Sequence, residues 1–446
     1  MKKIIAAAFC VLLSASATVS AAEELLCGDV NGDRIVDGRD ASAVLSEYAL
    51  QSSDNPPAFT YEQMKAADVN SDGVMDGRDA TIILTYYART SSGLKTSFEK
   101  YLDSLNKDIV DSMTLHDKIC QMFIVRPEEL TGGTDMTSAA KATHDSLEEY
   151  PVGGLIYFSN NMESRAQVTE MIAATRKYAE ELDCVPLFFS VDEEGGRVAR
   201  CAEKLGTTVF DPMYYYKTKG AEAAQSNART IAEDIVQFGF DLDFAPVADT
   251  WSNPVNTVIG PRAYSDDYAE TAKLVEAAVK GFREGGVHCT LKHFPGHGDT
   301  IADSHAGFAL SERSLDQLRS NEYLAFESGI RAGADFVMVG HITVPAIDDR
   351  PASMSSKVIN EELRGRLGYE GVVITDALGM GAIANAYRSS VCAVMAVEAG
   401  NDMLLSPENL GEAVAGIETA VANGMISEKR IDESVRRILR AKGLLE

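Results

Sequence analysis

The stretch GVVITDALGM, residues 371–380, sets a short apolar run directly against a carboxylate. Val372 to Ile374 form a continuous apolar segment without polar alternation, the pattern of a parallel strand that is buried on both faces. Asp376 follows at the carboxyl end of this predicted strand, and barrel-type α/β proteins carry their chemistry at such ends. The arrangement recurs through the second part of the chain and decides its fold class.

Eight short apolar runs alternate with amphipathic helical patterns from residue 98 onward. Eight βα units within about 350 residues predict an α/β fold, a TIM-type (β/α)8 barrel with its site in the loops after the strands. Helices are predicted between the strands, for example at 165–182 and 268–284. The predicted strands are residues 119–125, 154–158, 187–191, 242–245, 287–291, 336–339, 372–375 and 402–405.

Polar and charged residues follow five of these strands directly. They occupy residues 192–197, 243–249 and 292–305, together with His341 and Asp376. Because the carboxyl ends of barrel strands meet on one face, the clustering predicts a single site. Asp376 suits a nucleophile there, although an aspartate after a βα turn is also a common helix N-cap.

The loop KHFPGHGDTIADSHAGF, residues 292–308, holds three of the seven histidines. Asp303 lies two residues before His305, and a neighbouring carboxylate can orient an imidazole and raise its pKa for acid–base work near neutral pH. A metal site is the alternative. His293 and His297 have the spacing of ligands on one helical turn, but Pro295 and Gly296 between them prevent that helix. Acid–base chemistry is therefore the favoured interpretation.

Three motifs in this region resemble the β-N-acetylglucosaminidase branch of glycoside hydrolase family 3. They are KHFPGHGDT followed by DSH, DEEGGRVAR from Asp192, and ITDALGM around Asp376. The resemblance implies a retaining double displacement, with Asp376 as nucleophile, His305 as acid and base, and Asp303 orienting His305. Most retaining glycosidases use a carboxylic acid where this branch has a histidine. The positions that match the family's sugar-binding residues are Asp192, Arg200, Arg262, Lys292 and His293.

Two departures from the family pattern are visible. Glu193 stands where the family usually has glutamine, next to Asp192. The segment GPRAYSDD around Arg262 differs from the usual Arg-Ser-Phe, so Arg262 is matched less firmly than Lys292. The predicted reaction is release of terminal β-linked N-acetylhexosamine from chitin- or peptidoglycan-derived oligosaccharides. A phosphorylase that uses phosphate as acceptor and a non-catalytic glycan-binding protein are the alternatives.

Two segments near the N-terminus repeat with a period of 39 residues, DVNGDRIVDGRDASAVLSEYA from Asp29 and DVNSDGVMDGRDATIILTYYA from Asp68. Each places oxygen-bearing residues at positions 1, 3, 5, 9 and 12 of a loop, as a twelve-residue calcium loop does, and an amphipathic helix follows. Position 6 is Gly73 in the second loop but Arg34 in the first, where the turn prefers glycine. The predicted Ca²⁺ ligands are Asp29, Asn31, Asp33, Asp37, Asp40, Asp68, Asn70, Asp72, Asp76 and Asp79.

The paired repeats resemble a dockerin, a calcium-dependent module that binds a cohesin on a scaffolding protein. Aspartate at position 12 and the lack of an incoming helix before each loop fit that resemblance. It implies a cohesin-bearing scaffold as partner, with Gly38-Arg39 and Gly77-Arg78 facing it. The predicted organisation is a dockerin-like module at 23–90, a linker at 91–97 and a catalytic domain at 98–446.

Residues 1–22 read as a secretory signal peptide, with a positive start, an apolar core and small residues before the cleavage site. The protein is therefore expected to be secreted or extracellular. Its formal charge of −26 argues against nucleic-acid binding, and we expect no membrane insertion. No catalytic cofactor is expected. Cys184 and Cys201 could form a disulfide, or Cys184 could belong to the core.

Overall fold

The computed structural model describes residues 25–53, 58–70, 74–93, 95–106, 109–302 and 308–445. The chain forms two compact units that divide between Ser112 and Met113. Within those ranges no helix is long and apolar enough to cross a membrane. The predicted signal peptide lies outside the described residues.

The first unit is built on the two repeats. Helices Gly38–Gln51 and Gly77–Ser91 follow the two predicted calcium loops and pack against each other. Each helix begins in the same way, because the aspartate before it accepts a hydrogen bond from the backbone two residues on, and the aspartate at position 12 closes a capping box. The duplication seen in the sequence is thus a duplication of the fold.

The repeats also differ from expectation at one point. A seven-residue helix, Tyr61–Ala67, leads directly into the second loop, so the prediction that incoming helices are absent is wrong for that loop. Thr60 and Gln63 form its capping box, a signal present in the sequence. Arg34 takes φ of 65°, a left-handed conformation that glycine adopts without steric cost, which explains the preference at that position.

The core of the first unit reaches beyond the predicted linker. Helix Phe98–Asn106 places Phe98 and Tyr101 among the buried residues around Val44 and Ile83. The ring of Phe98 packs edge-on against Tyr86, 5.0 Å between centroids. Residues 98–112 therefore belong with the first unit, whereas the sequence placed them at the start of the catalytic domain.

The second unit contains an eight-stranded parallel sheet. Each strand pairs with its neighbour in the chain, and the first also pairs with the eighth. The seventh and eighth strands are joined by the single bridge Ile374–Met403, so the sheet forms a nearly closed barrel. The barrel strands are Phe123–Val125, Gly154–Tyr157, Phe188–Val191, Leu242–Asp243, His288–Phe294, Phe336–Val339, Val372–Thr375 and Leu404–Leu405.

All eight predicted strands are present, and the boundaries of the first and the fifth differ most from the prediction. The first strand was predicted from residue 119, but Leu115–Gln121 is a helix. Thr114 and Asp117 form its capping box, which overrides the apolar character of the segment. The fifth strand runs on to Phe294, past its predicted end at 291, so Lys292 and His293 lie within the strand end.

Helices follow every barrel strand. The predicted helices are found at Arg165–Glu181, which Ser164 caps, and at Tyr268–Glu284, which Asp267 caps. The remaining helices of eight or more residues are Lys141–Glu149, Ala221–Val236, Tyr323–Arg331, Ser389–Ala399, Leu410–Ala422, Glu428–Ala441 and the π-helical Lys357–Arg366. Shorter helices are Ile109–Ser112 at the end of the first unit and, in the second, Pro127–Thr131, Arg200–Leu205, Tyr216–Lys219, Leu315–Gln317, Leu318–Glu322 and Gly381–Ala384.

Additional short strands shape the loops above the barrel. Glu193–Gly195 and Val198–Ala199 form an antiparallel hairpin after the third barrel strand. A small sheet combines Ile301–Ala302, Ala309–Leu310, Ile342–Val344 and Asp348–Pro351 from the loops after the fifth and sixth strands.

A buried aspartate ties the last strand to its surroundings. Asp402 is fully buried, and its carboxylate accepts hydrogen bonds from the Val373 backbone N–H (2.9 Å) and the Ser434 hydroxyl (2.7 Å). It also forms ion pairs with Arg364 and with Arg437, the latter at 3.0 Å. This carboxylate therefore links the seventh strand, the eighth strand and the C-terminal helix.

The six described cysteines, including Cys184 and Cys201, are free. Cys201 is buried in helix Arg200–Leu205, so the structure favours the alternative in which these residues are not paired.

We expect Asp402→Ala to destabilise the second unit by about 3 kcal/mol, because it leaves the buried Val373 N–H without an acceptor and the half-buried Arg364 and Arg437 without a counter-charge. Chemical denaturation followed by near-UV circular dichroism measures the change in the free energy of unfolding. The matched control is Asp211→Ala, which removes an exposed ion pair with Lys219 and should change stability little. Equal stability of the two variants would contradict the assigned role of Asp402.

Candidate active site

One cavity of about 490 Å³ opens at the carboxyl ends of the barrel strands. Every predicted active-site residue within the described ranges lines it: Asp192, Arg200, Arg262, Lys292, His293 and Asp376. They come from the third, fourth, fifth and seventh strands or the loops after them. Asp303 and His305 lie outside the described residues.

Asp376 stands at the end of the seventh strand. Its N–H donates to the Val339 carbonyl of the neighbouring strand (2.9 Å), and its Oδ1 accepts from the Ala377 N–H (2.8 Å). Burial favours the neutral acid, but the nearby imidazoles of His293 and His341, the Ala377 N–H and Lys292 outweigh burial and lower the pKa of Asp376. The side chain is thus held rigidly, and it is ionised at neutral pH.

A second carboxylate, that of Asp249, contacts His293 and His297. Asp249 is buried, and its Oδ2 is 2.7 Å from Nδ1 of His293. It also accepts the backbone N–H groups of His293 (3.2 Å) and His297 (2.6 Å). The pairing makes Nδ1 of His293 the donor, so Nε2 is the ring nitrogen left for the cavity. The sequence showed Asp249 after the fourth strand but not its contact with His293.

Lys292 stands between two carboxylates. Its ammonium is 2.8 Å from Asp192 and 2.6 Å from Glu194, and the lysine is almost fully buried. Burial opposes the charge, but the two carboxylates prevail and raise the pKa of Lys292. The ammonium is therefore permanently charged and fixes the orientation of Asp192 at the cavity wall.

Arg262 forms an ion pair with Glu194, one of the two carboxylates that contact Lys292. Its Nε and Nη2 donate to the two oxygens of Glu194 at 2.8 and 2.7 Å, a bidentate pair, and Nη1 donates to the Val258 carbonyl. Although burial opposes ionisation, Lys292 and Arg262 bring the pKa of Glu194 down to about 2. Most donors of Arg262 are thus used within the protein. Its contribution to a ligand is mainly electrostatic.

Arg200 differs from the other cavity cations. Its guanidinium lies 5.9 Å from the centre of the Phe158 ring, and its buried Nε has no hydrogen-bond partner among the described residues. A buried donor without a partner is costly unless a ligand supplies one. Arg200 is therefore well placed to donate to a ligand oxygen.

Two further histidines, His341 and His297, lie near the nucleophile candidate. Nε2 of His341 is 3.0 Å from the Ala377 carbonyl, and Nδ1 is 2.7 Å from the Ser353 hydroxyl. Because a carbonyl only accepts, Nε2 carries the proton. Burial lowers the pKa of both His341 and His297. Both imidazoles therefore lose their proton at a lower pH than a free histidine does.

The backbone at Gly298, after the fifth strand, packs tightly against Thr250. A Cβ at Gly298 would lie 1.7 Å from the Thr250 carbonyl oxygen, so only glycine allows this approach. Within the described ranges no group of three or more His, Cys, Asp or Glu residues is arranged to hold a metal ion. The arrangement is one that binds a polyhydroxylated ligand and offers an ionised carboxylate to an electrophilic carbon.

Comparison with known proteins identifies the catalytic unit. The family described as the glycosyl hydrolase family 3 N terminal domain matches residues 114–441. The chain belongs to glycosyl hydrolase family 3. The identification of the protein as a glycosidase of this family, made on three short motifs, is confirmed.

Curated relatives and solved structures support the same branch. A beta-hexosaminidase of Xylella fastidiosa is 36% identical over 308 residues, which span 66% of this chain and 90% of the relative. A beta-hexosaminidase of Stenotrophomonas maltophilia is 37% identical over 308 residues, 66% of this chain and 89% of the relative. A family 3 beta-N-acetylglucosaminidase of Paenibacillus superposes with a TM-score of 0.69 at 39% identity, covering 74% of this chain and 62% of that one.

The N-terminal module is also matched. The dockerin type I domain covers residues 27–86, which confirms the resemblance seen in the repeated loops. The donor set fits Ca²⁺, a hard cation that takes oxygen ligands. Asp29, Asn31 and Asp33 each accept backbone N–H groups of the first loop, Asp33 also pairs with Arg39 at 2.7 Å, and Asp40 is buried beside them. Asp72 lies outside the described residues.

Sequence reasoning missed several residues of the family 3 site. Glu194 lay inside a quoted motif, but its ion pairs with Lys292 and Arg262 join segments far apart in the chain. Arg126 and Glu129 line the cavity after the first strand. Both residues come shortly after the predicted end of the first strand at Val125, so the sequence could have placed them at the site.

Proposed function

We propose that this family 3 glycosidase is a secreted, retaining β-N-acetylglucosaminidase. It removes terminal β-linked N-acetylhexosamine from oligosaccharides derived from chitin or peptidoglycan. The observation that carries the proposal is the ionised, hydrogen-bonded carboxylate of Asp376 facing a cavity whose other walls carry Asp192, Arg200 and Lys292. The names of the relatives support the choice of an N-acetylated sugar.

Asp376 acts as the nucleophile in this mechanism. Because Oδ1 accepts from the Ala377 N–H, we assign Oδ2 as the oxygen that attacks the anomeric carbon. The bond to the leaving oxygen breaks as the glycosyl-enzyme ester forms. Lowering of its pKa keeps Asp376 ionised for the attack, and the Val339 carbonyl holds its backbone in place.

The Asp303-His305 pair supplies the protons. His305 protonates the leaving oxygen in the first step and removes a proton from water in the second, with Asp303 orienting the ring. This assignment rests on the motif that these two residues share with the family. The other cavity residues bind the sugar in this proposal. Asp192 accepts from sugar hydroxyls, Arg200 and Lys292 donate to ligand oxygens, and His293 offers Nε2.

The first unit directs the enzyme to its place of action in this proposal. It binds two calcium ions in the loops that begin at Asp29 and Asp68, and it docks to a cohesin on an extracellular scaffold. The dockerin match supports this, as do the matching hydrogen bonds in the two loops. Arg39 and Arg78 lie at equivalent exposed positions beside the loops and are the cohesin-facing residues.

We expect Asp376→Ala to lose essentially all turnover of aryl β-N-acetylglucosaminide, because the variant has no nucleophile. The rate on aryl β-glucoside should be far lower than on the N-acetylated substrate for the wild-type protein. Initial rates on both substrates measure this, with circular dichroism as the check on folding. Retention of a tenth of wild-type activity by Asp376→Ala would rule out the nucleophile assignment.

For His305→Ala, the loss should depend on the leaving group. A natural disaccharide, whose leaving alcohol needs protonation, should react roughly 10²- to 10⁴-fold more slowly, while formation of the glycosyl-enzyme from an activated aryl glycoside stays fast. Azide should then restore turnover of the aryl substrate, because an anion needs no general base. Equal loss on both substrates without azide rescue would contradict the acid–base role. Product analysis with phosphate present distinguishes hydrolysis from phosphorolysis.

Calcium removal should affect the two units differently. In the full-length chain, chelation is expected to lower the melting temperature of the first unit, since clustered carboxylates repel one another without a cation. The transition of the catalytic unit and its activity on an aryl substrate should remain unchanged. Differential scanning calorimetry with calcium and with chelator resolves the two transitions. Asp29→Ala and Asp68→Ala test the two loops separately, and an unchanged first transition in chelator would exclude calcium binding.

A further inference from the structure

We infer that Arg39 and Arg78 compete with calcium for carboxylates of the two predicted calcium loops, and that calcium binding releases their side chains. Each arginine stands at position 11 of its loop, directly before the aspartate at position 12. Calcium takes oxygen ligands, so an arginine can influence it only through the carboxylates that the arginine contacts. Because the effect concerns calcium binding, it rests on the proposed function.

One guanidinium joins two predicted ligands in the first loop. Nη2 of Arg39 lies 2.7 Å from Oδ2 of Asp33 and 2.9 Å from Oδ2 of Asp37, the residues at positions 5 and 9. Nε of Arg39 donates to the same Asp37 oxygen at 3.1 Å, and the Arg39 N–H donates to Oδ1 of Asp37 at 2.8 Å. Both oxygens of Asp37 and Oδ2 of Asp33 therefore already have donors.

The second loop repeats the contact at position 9. Nη2 of Arg78 lies 2.9 Å from Oδ2 of Asp76, and Nε of Arg78 donates to the same oxygen at 3.0 Å. The Arg78 N–H donates to Oδ1 of Asp76 at 2.7 Å. The same ion pair thus occurs in both repeats, between positions 11 and 9 of each loop.

Calcium and a guanidinium repel each other when they share an oxygen. Protein oxygens bind Ca²⁺ at about 2.3–2.6 Å, so a guanidinium within hydrogen-bond distance of the same oxygens lies close to a doubly charged ion. The side chains of Arg39 and Arg78 are 63% and 58% exposed, which leaves them room to turn into solvent. We therefore expect calcium to break these ion pairs, and each released guanidinium can then contact carboxylates of a docking partner.

Calcium titration of the full-length chain by isothermal calorimetry tests the competition. In Arg39→Gln, one of the two binding steps should tighten by a factor of about 3–10, because the exposed ion pairs no longer compete with the ion. Arg78→Gln should tighten the other step. The matched control is Lys100→Gln, which removes one positive charge from an exposed position of helix Phe98–Asn106 and should leave both steps near their wild-type affinities.

Melting temperatures distinguish competition from an ion pair that persists beside calcium. If calcium displaces the arginines, the variants should melt below wild type in chelator but with wild type in saturating calcium, because tighter calcium binding offsets the lost ion pair. If Arg39 stays on Asp33 and Asp37 beside the ion, the first unit should melt lower under both conditions and the calcium affinity should not change. That second pattern would overturn the inference.

A chemical probe follows the arginines directly. Phenylglyoxal modifies accessible guanidinium groups, and peptide mass spectrometry gives the rate at each arginine. Arg39 and Arg78 should react faster in calcium than in chelator, whereas Arg331, an exposed arginine of the second unit, should react equally in both. Equal rates at Arg39 under the two conditions would contradict its release. A wild-type chain that binds no calcium at all would count against the proposed function instead.

Discussion

Closure of the barrel rests on a short seam between its seventh and eighth strands. The two strands share one bridge, at Ile374–Met403, and the N–H groups of Thr375, Asp402 and Met403 donate to backbone carbonyls across the seam. The Asp402 carboxylate reinforces the seam by accepting from the Val373 N–H and from the Ser434 hydroxyl of the C-terminal helix. Asp376 lies on the seventh strand, beyond the seam, and takes its backbone position from the sixth strand. The nucleophile candidate can face the cavity only if both neighbours of its strand are in place.

Charge balance organises the cavity above the sheet. Glu194 uses both oxygens to hold Arg262 and also contacts Lys292, so the two cations stay in place without ligand. Asp249 does the same for His293. Buried charges are tolerated because each has a partner of opposite sign. Arg200 stands outside this pairing, which makes its position depend on backbone contacts rather than on an ion pair.

The acidic residues of the first unit have different partners from those of the barrel. Its aspartates are gathered around two loops, and their described partners are largely backbone N–H groups and the exposed Arg39 and Arg78. The aspartates of the first unit thus accept mainly from backbone N–H groups and exposed arginines, whereas the buried carboxylates of the barrel face buried cationic side chains. One chain therefore uses acidic residues in two ways, and the local partner decides which.

Features of the fold that depend on residues close together in the chain could be predicted from the sequence. Features that depend on contacts between distant residues could not. Apolar runs identified the eight strands, because burial on both faces leaves a continuous apolar pattern. Error arose at residue 119, where a capping box made a helix of an apolar segment, and at residue 98, where Phe98 packs with the first unit. Both depend on contacts that a single periodicity does not reveal.

The sequence by itself determined the fold class, the repeated dockerin-type loops and the residue types of the site, since these follow from local pattern and from motifs. Only the tertiary structure decided how those residues are used. It showed that Glu194 accepts two N–H groups of Arg262 and that Asp249 sets the tautomer of His293. It also showed that Glu193 accepts backbone N–H groups at the start of the helix that carries Arg200. The physical reason is that hydrogen bonds and ion pairs act over about 3 Å, and folding alone brings such distant residues within that reach.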